Sequence, residues 1–210
     1  MHPSRIRVKM CGMTRKEDVA HAVALGADAI GLIFYAKSSR NVSIDHAKAL
    51  LDGLSPFVAA TAVLVNPDQE FVQQIIAELP VTLLQFHGDE SPEFCKQFKI
   101  PYIKAIHPES KEQIIQMDNE FSEARAILLD TASGNMRGGT GLTFDWHIIP
   151  EKRKHPYILA GGLNQLNLNE AVRTCKPYAV DVCSGIEASP GIKDHFKMSQ
   201  FTKALWGQNE

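Results

Sequence analysis

Apolar positions along this chain fall into two alternating patterns. Short, nearly solid apolar blocks are followed by stretches in which apolar residues recur every three or four positions. The blocks are "IRVKM", "DAIGLIFY", "FVAATAVLVN", "VTLLQF", "YIKAI", "AILLD", "YILA" and "YAVDV". Each reads as a strand. Between them, Val19, Ala22 and Val23 have helical spacing, as do Ile44, Ala47, Leu51 and Leu54. Phe71, Val72, Ile75, Ile76 and Leu79 form a third helical stripe, and Phe94, Cys95 and Phe98 a fourth. A weaker stripe passes through Ile114, Ile115 and Met117. A short helix is expected near Asp145 to Ile149, another after "GGLN", and a last one from about Asp194 to Leu205. Thr14 and Glu17 have capping-box spacing, and Ser43, Ser91 and Ser110 can each cap a helix. Asn66 followed by Pro67 also suits a helix start, and Gly26 suits a stop.

Strands that are apolar on both faces and separated by helices usually form a parallel sheet. Eight strand–helix units in 210 residues predict α/β architecture, a compact (β/α)8 TIM barrel forming a single domain over residues 1–210. The rival is an open doubly wound sheet. No G-x-G-x-x-G follows the first strand, which weakens that rival. No linker or low-complexity stretch divides the chain.

Composition narrows the setting. The formal net charge is −2, with no large basic patch, so neither nucleic acid nor an anionic membrane is an expected partner. No apolar run reaches the ~18 residues of a membrane span, and "MHPSRIRVKM" lacks a signal-peptide core. The four cysteines form no C-x-x-C pair and read as reduced thiols of a cytoplasmic protein. The eight histidines have no metal-ligand spacing, so no metal is expected.

In this fold the active site lies at the C-terminal ends of the strands. The first strand ends at Cys11, "KSSR" beyond the second carries Arg40, and the fourth ends at His87. The sixth ends at Asp130 and the eighth at Asp181. These five side chains converge if the barrel forms. Arg40, His87 and Asp181 are then candidates for substrate binding. Gly161-Gly162 and Ser184-Gly185 follow strands seven and eight, the usual phosphate site of this fold. Small residues there let backbone N–H groups approach an anion.

"KMCGMT", "GLIFYAKSSRNVS", "LLQFHGDE", "LLDT…GGTGLTFDW", "ILAGGLN" and "VDVCSGIEASPGIKDHFKM" together resemble the phosphoribosylanthranilate isomerase family of tryptophan biosynthesis. The likeness runs from Val8 to about Met198, in the family's order. It implies an Amadori rearrangement. N-(5′-phosphoribosyl)anthranilate, an aminoaldose, becomes 1-(2-carboxyphenylamino)-1-deoxyribulose 5-phosphate. The resemblance further implies that Cys11 is the general base, Asp130 the general acid and Arg40 the holder of the anthranilate carboxylate. The phosphate would sit on the two glycine turns. Phe86, Cys183 and Ser39 stand where many relatives have leucine, serine and proline. Ser39 would loosen the loop carrying Arg40.

One acid and one base suffice for this reaction, with no cofactor. A thiolate serves as the base if its pKa falls from about 8.5 toward neutrality. Lys9 shares a strand face with Cys11 and would lower it. Asp130 needs the reverse tuning, from burial or a neighbouring negative charge. The "KSSRNVS" and "GNMRGGTG" loops are expected to order around ligand. Two other functions stay open: the histidine-pathway aminoaldose isomerase on the same barrel, and a non-catalytic sugar-phosphate binder. Monomer and homodimer also both stay open.

Overall fold

A computed structural model describes residues 5–130 and 145–207. The "GNMRGGTG" loop and most of the "LLDT…GGTGLTFDW" motif lie outside the described residues. Eight strands close into a parallel barrel in sequence order. They are β1 (Arg7–Cys11), β2 (Ala29–Phe34), β3 (Ala59–Leu64), β4 (Leu83–Phe86), β5 (Tyr102–Ile106), β6 (Ala126–Leu129), β7 (Tyr157–Leu159) and β8 (Ala179–Val182). The seam joins β1 to β8, with Lys9 opposite Asp181 and Met10 opposite Val182.

Side chains alternate across each strand, so each strand serves two cores. Val8, Met10, Ile30, Leu32, Leu84, Phe86, Ile127, Leu129 and Val180 belong to the large outer core shared with the helices. Ile103, Ala105, Ala126, Leu128, Ile158, Ala160 and Ala179 form a separate, smaller cluster. They alternate with outer-core residues and fill the lumen. Lys9, Gln85 and Asp181 share the lumen with them, and all three are buried. The strands are therefore not apolar on both faces throughout. Polar side chains enter the lumen from β1, β4 and β8.

The helices are α1 (Lys16–Ala24), α2 (Ile44–Leu51), α3 (Gln69–Glu78), α4 (Pro92–Lys96), α5 (Lys111–Glu120), α6 (Leu168–Cys175) and α7 (His195–Trp206). Ser43, Ser91 and Ser110 cap theirs with side-chain oxygens, as the sequence predicts, and Asp194, expected as the start of the last helix, is its cap. Two predicted starts differ. Thr14 does not cap α1, because its hydroxyl donates to the Gly191 carbonyl instead. Asp68, not Asn66, caps α3. Asn66 adopts a left-handed φ of 47° and its side chain accepts from the Asp89 amide. Both residues are drawn into contacts between loops at the barrel's C-terminal rim, a demand stronger than local capping. Before β7 the expected short helix is a 3₁₀ turn, Trp146–Ile148. After β8 the chain makes a 3₁₀ turn, Ser184–Ile186, then a small hairpin of β9 (Glu187–Ser189) and β10 (Ile192–Lys193).

Candidate active site

Cys11 ends β1 facing the lumen, two residues beyond Lys9 on the same side. The Lys9 ammonium grips Asp181 across the seam, at 3.0 Å and 2.9 Å to the two carboxylate oxygens. Gly31 of β2 makes room for this group. A Cβ there would lie 2.6 Å from the Cys11 Sγ and 3.1 Å from the Lys9 Nζ. Cys183 lies across the seam from Cys11, one residue beyond the paired Met10 and Val182. Its sulfur lies close enough to that of Cys11 to act on its charge.

These neighbours decide the charge of Cys11. The Cys183 thiol, with the Lys9 and Lys193 ammonium groups, outweighs burial and holds the Cys11 thiol well below its ordinary range. Cys183 is pushed well above its own, first by Cys11 and then by burial. Burial raises Asp181 to about 7 against the pull of Lys9, and the charges of Cys11 and Asp130 add to the rise. Burial also opposes the Lys9 charge, but Asp181 and Cys11 outweigh it and raise Lys9. Lys9 thus faces two acidic groups, Asp181 and Cys11, so the site favours keeping a proton between them.

Arg40 lies in the loop after β2. Ser38 folds that loop: its amide donates to the Tyr35 carbonyl at 2.8 Å and its hydroxyl accepts from the Arg40 amide at 3.1 Å. Glu187 of β9 holds one edge of the guanidinium, with Nε at 2.8 Å and Nη2 at 2.6 Å. The other edge, through Nη1, has no hydrogen-bond partner among the described residues and can take a second bidentate partner. Burial opposes the charge of Glu187, but Arg40 and Lys193 outweigh it and keep its pKa low. Lys193 is buried with its ammonium 2.9 Å from Glu187 Oε1 and 3.1 Å from the Cys183 carbonyl. Gly12, at φ +72°, clears the path of Arg40: a Cβ would lie 2.7 Å from its Cδ.

Across the rim, His87 follows β4 and Asp130 follows β6. The His87 Nε2 lies 3.1 Å from Asp130 Oδ2, bridging the end of β5. Gln85 reaches the other ring nitrogen, Nδ1, at 2.9 Å. Beneath this turn, the Lys104 ammonium donates to the Gly88 carbonyl at 2.5 Å and to Glu90 at 2.7 Å. Glu90 in turn accepts from the amides of Asn66 and Gly88. Gly88 is required there, since a Cβ would lie 2.3 Å from Asn66 Oδ1.

The two glycine turns meet. Gly185 sits so close to the preceding turn that a Cβ would lie 1.9 Å from the Leu163 carbonyl oxygen. Gly161 and Gly162 take φ of 79° and 64°, a region that favours glycine. Asn164 and Asn167 both donate to the Gly162 carbonyl, which fixes the turn. Ser184 is exposed beside them.

Every residue the sequence singles out therefore lies on one rim of the barrel. Cys11 sits beside the Lys9–Asp181 pair, and Lys193 and Glu187 join the Cys183 carbonyl to Arg40 by hydrogen bonds. His87 and Asp130 form a separate hydrogen-bonded pair. Glu187, Lys193, Gln85 and Gly31 escape a sequence reading. Glu187 and Lys193 carry one faint signal, opposite charges flanking a Pro-Gly turn in "EASPGIK". Among the described residues, no three His, Cys, Asp or Glu side chains are grouped as metal ligands, and no helix is long and apolar enough to cross a membrane.

The family model described as N-(5′-phosphoribosyl)anthranilate isomerase matches residues 8–204. The N-(5′-phosphoribosyl)anthranilate isomerase of Legionella pneumophila (strain Lens) is 66% identical over 207 residues, covering 99% of this chain and all of that one. The crystal structure of phosphoribosyl anthranilate isomerase from Thermotoga maritima superposes with a TM-score of 0.89 at 38% identity, covering 96% of this chain and 99% of that one. A crystal structure of the isomerase in complex with reduced 1-(o-carboxyphenylamino)-1-deoxyribulose 5-phosphate matches with a TM-score of 0.85 at 36% identity, with the same coverage.

Proposed function

Since this chain belongs to the N-(5′-phosphoribosyl)anthranilate isomerase family, we propose that Cys11 and Asp130 are the base and the acid of its reaction. The chain is an isomerase of L-tryptophan biosynthesis. It converts N-(5′-phosphoribosyl)anthranilate to 1-(2-carboxyphenylamino)-1-deoxyribulose 5-phosphate. The observation that carries the residue assignment is the pairing of unlike environments on one rim. Cys11 is the one thiol among the described residues whose pKa is held down. Asp130 stands opposite it on the barrel, held by His87 and close enough to Asp181 to raise that carboxyl.

The chemistry follows from these places. Protonated Asp130 gives its proton to the furanose ring oxygen as the C1–O bond breaks, leaving an iminium between C1 and the anthranilate nitrogen. That iminium acidifies the C2 hydrogen. The Cys11 thiolate takes the C2 proton, and the C2–H electrons form the C1–C2 double bond of the enolamine. Tautomerisation to the ketone completes the product. The cycle closes when Cys11 loses its proton and Asp130 regains one. Arg40, steadied by Glu187, offers its free edge to the anthranilate carboxylate. Gly161, Gly162, Ser184 and Gly185 receive the phosphate on backbone N–H groups. The substrate is a small molecule, and the four free thiols suit a reducing cytoplasm. His87 and Asp181 act here by holding Asp130 and Lys9, beside the substrate rather than as its main ligands.

The test is a coupled fluorescence assay with freshly made phosphoribosylanthranilate, run beside product-analogue binding. Asp130→Asn is expected to lose 10² to 10⁴ in turnover, to order of magnitude, while analogue affinity survives. Cys11→Ala is expected to lose turnover in the same way. Near-normal turnover in either variant removes that residue from the mechanism.

A further inference from the structure

We propose that Gln85 is a positioning residue for the acid: its amide fixes the His87 proton on Nε2, and that N–H holds one oxygen of Asp130, leaving the other to carry the transferred proton. The inference rests on the isomerase reading above and adds a residue to it.

Gln85 faces the lumen on β4 and is 1% exposed. Its Nε2 lies 2.9 Å from His87 Nδ1, and His87 Nε2 lies 3.1 Å from Asp130 Oδ2. A neutral imidazole carries one N–H. An amide NH₂ can only donate, so the Nδ1 it meets must be the lone-pair nitrogen. The single N–H is then on Nε2, aimed at a carboxylate oxygen. That bond occupies Oδ2. The proton Asp130 delivers therefore belongs on Oδ1.

The opposite amide orientation has a different consequence. In a neutral ring, Gln85 Oε1 at Nδ1 would demand an Nδ1–H and leave a lone pair on Nε2. That lone pair repels a carboxylate and accepts only from a protonated one. The proton of Asp130 would then be committed to the histidine and not to the substrate. Gln85 thus decides whether the proton of the acid is free.

A second observation separates this role from packing. Gln85 Oε1 is buried with no hydrogen-bond partner among the described residues. Leucine or methionine would fill the same space without an orphaned acceptor, so packing alone would not call for an amide here. The His87 ring is steadied on its other flank, where the His107 ring lies 5.6 Å away, and through Gly88, which Lys104 and Glu90 pin.

The experiment reads the ring nitrogens directly. Nitrogen-15 spectra of wild-type protein, with His87 assigned against His87→Asn, are expected to show Nε2 protonated and Nδ1 bare. Gln85→Glu keeps the shape but presents only acceptors, so it is expected to move the proton to Nδ1. Gln85→Glu and Gln85→Leu are both expected to lose roughly 10- to 100-fold in kcat, with KM and product-analogue affinity nearly unchanged. A wild-type spectrum with His87 protonated on Nδ1 overturns the proposal, whether or not the variants fold. So does wild-type kcat in Gln85→Glu. The two readings fail separately: missing wild-type turnover overturns the isomerase assignment, whereas full turnover with an Nδ1-protonated His87 overturns only the role of Gln85.

Discussion

Cys11 differs from the other thiols in what surrounds it, not in being buried. Burial pushes Cys95 and Cys175 up to about 12, because the pull of Lys104 on the one and of Arg153 on the other is too weak to offset it. Cys11 is equally buried but meets the Cys183 thiol and the Lys9 ammonium. Iodoacetamide near neutral pH is therefore expected to modify Cys11 first and leave Cys95 and Cys175 intact in the folded protein. Peptide mass spectrometry alongside activity checks this, and full activity with Cys11 alkylated would end its role as base. The pH profile supplies a second check. A depressed thiol keeps kcat/KM level as pH falls through the range where a free cysteine would protonate. Cys183→Ala removes the leading stabiliser of the thiolate, so the acid limb is expected to move to higher pH. Cys183→Ser keeps a donor and is expected to restore part of the shift. An unmoved limb in Cys183→Ala would show that the Lys9 and Lys193 ammonium groups set the charge.

At the scale of elements, turns and hairpin do what single side chains cannot. Gly185 lets the turn after β8 lie against the turn after β7, with no room for a methyl group. Gly185→Ala is expected to push the turns apart, raising KM and weakening a phosphate-bearing analogue more than it lowers kcat. Titration calorimetry with the analogue decides it: unchanged affinity would remove these turns from phosphate binding. The β9–β10 hairpin has an equally local purpose. It carries Glu187 to the guanidinium of Arg40 and Lys193 to Glu187. Arg40→Ala is expected to raise KM more than it lowers kcat, and Glu187→Gln to do so in smaller measure by loosening the fork. A fall in kcat at constant KM in Arg40→Ala would contradict a binding role. Serine caps were legible because capping is decided within four residues. The roles of Thr14 and Asn66 were not, because their partners, Gly191 and Asp89, lie on other loops.

At the scale of the molecule, the barrel closes along the β1–β8 seam over a buried ion pair, with Lys9 and Asp181 both under 10% exposed. Lys9→Met strands a buried carboxylate and is expected to cost about 3–5 kcal/mol. Lys9→Met with Asp181→Leu removes both charges and is expected to recover most of that loss in urea unfolding. No recovery would mean that the seam depends on the charges themselves. The sequence by itself determined the eight strands, their parallel order, and the rim that collects Cys11, Arg40, His87, Asp130, Asp181 and the two glycine turns. Hydrophobic periodicity and strand-end position are properties of a chain segment, readable without its neighbours. Only the tertiary structure decided that Cys183 would face Cys11, that Glu187 would brace Arg40, and that Gln85 would meet the His87 ring. Glu187 lies 147 residues from Arg40, and Asp130 lies 43 from His87. Closing the barrel brings such residues within hydrogen-bond reach, and their charges then depend on one another and no longer on residue type.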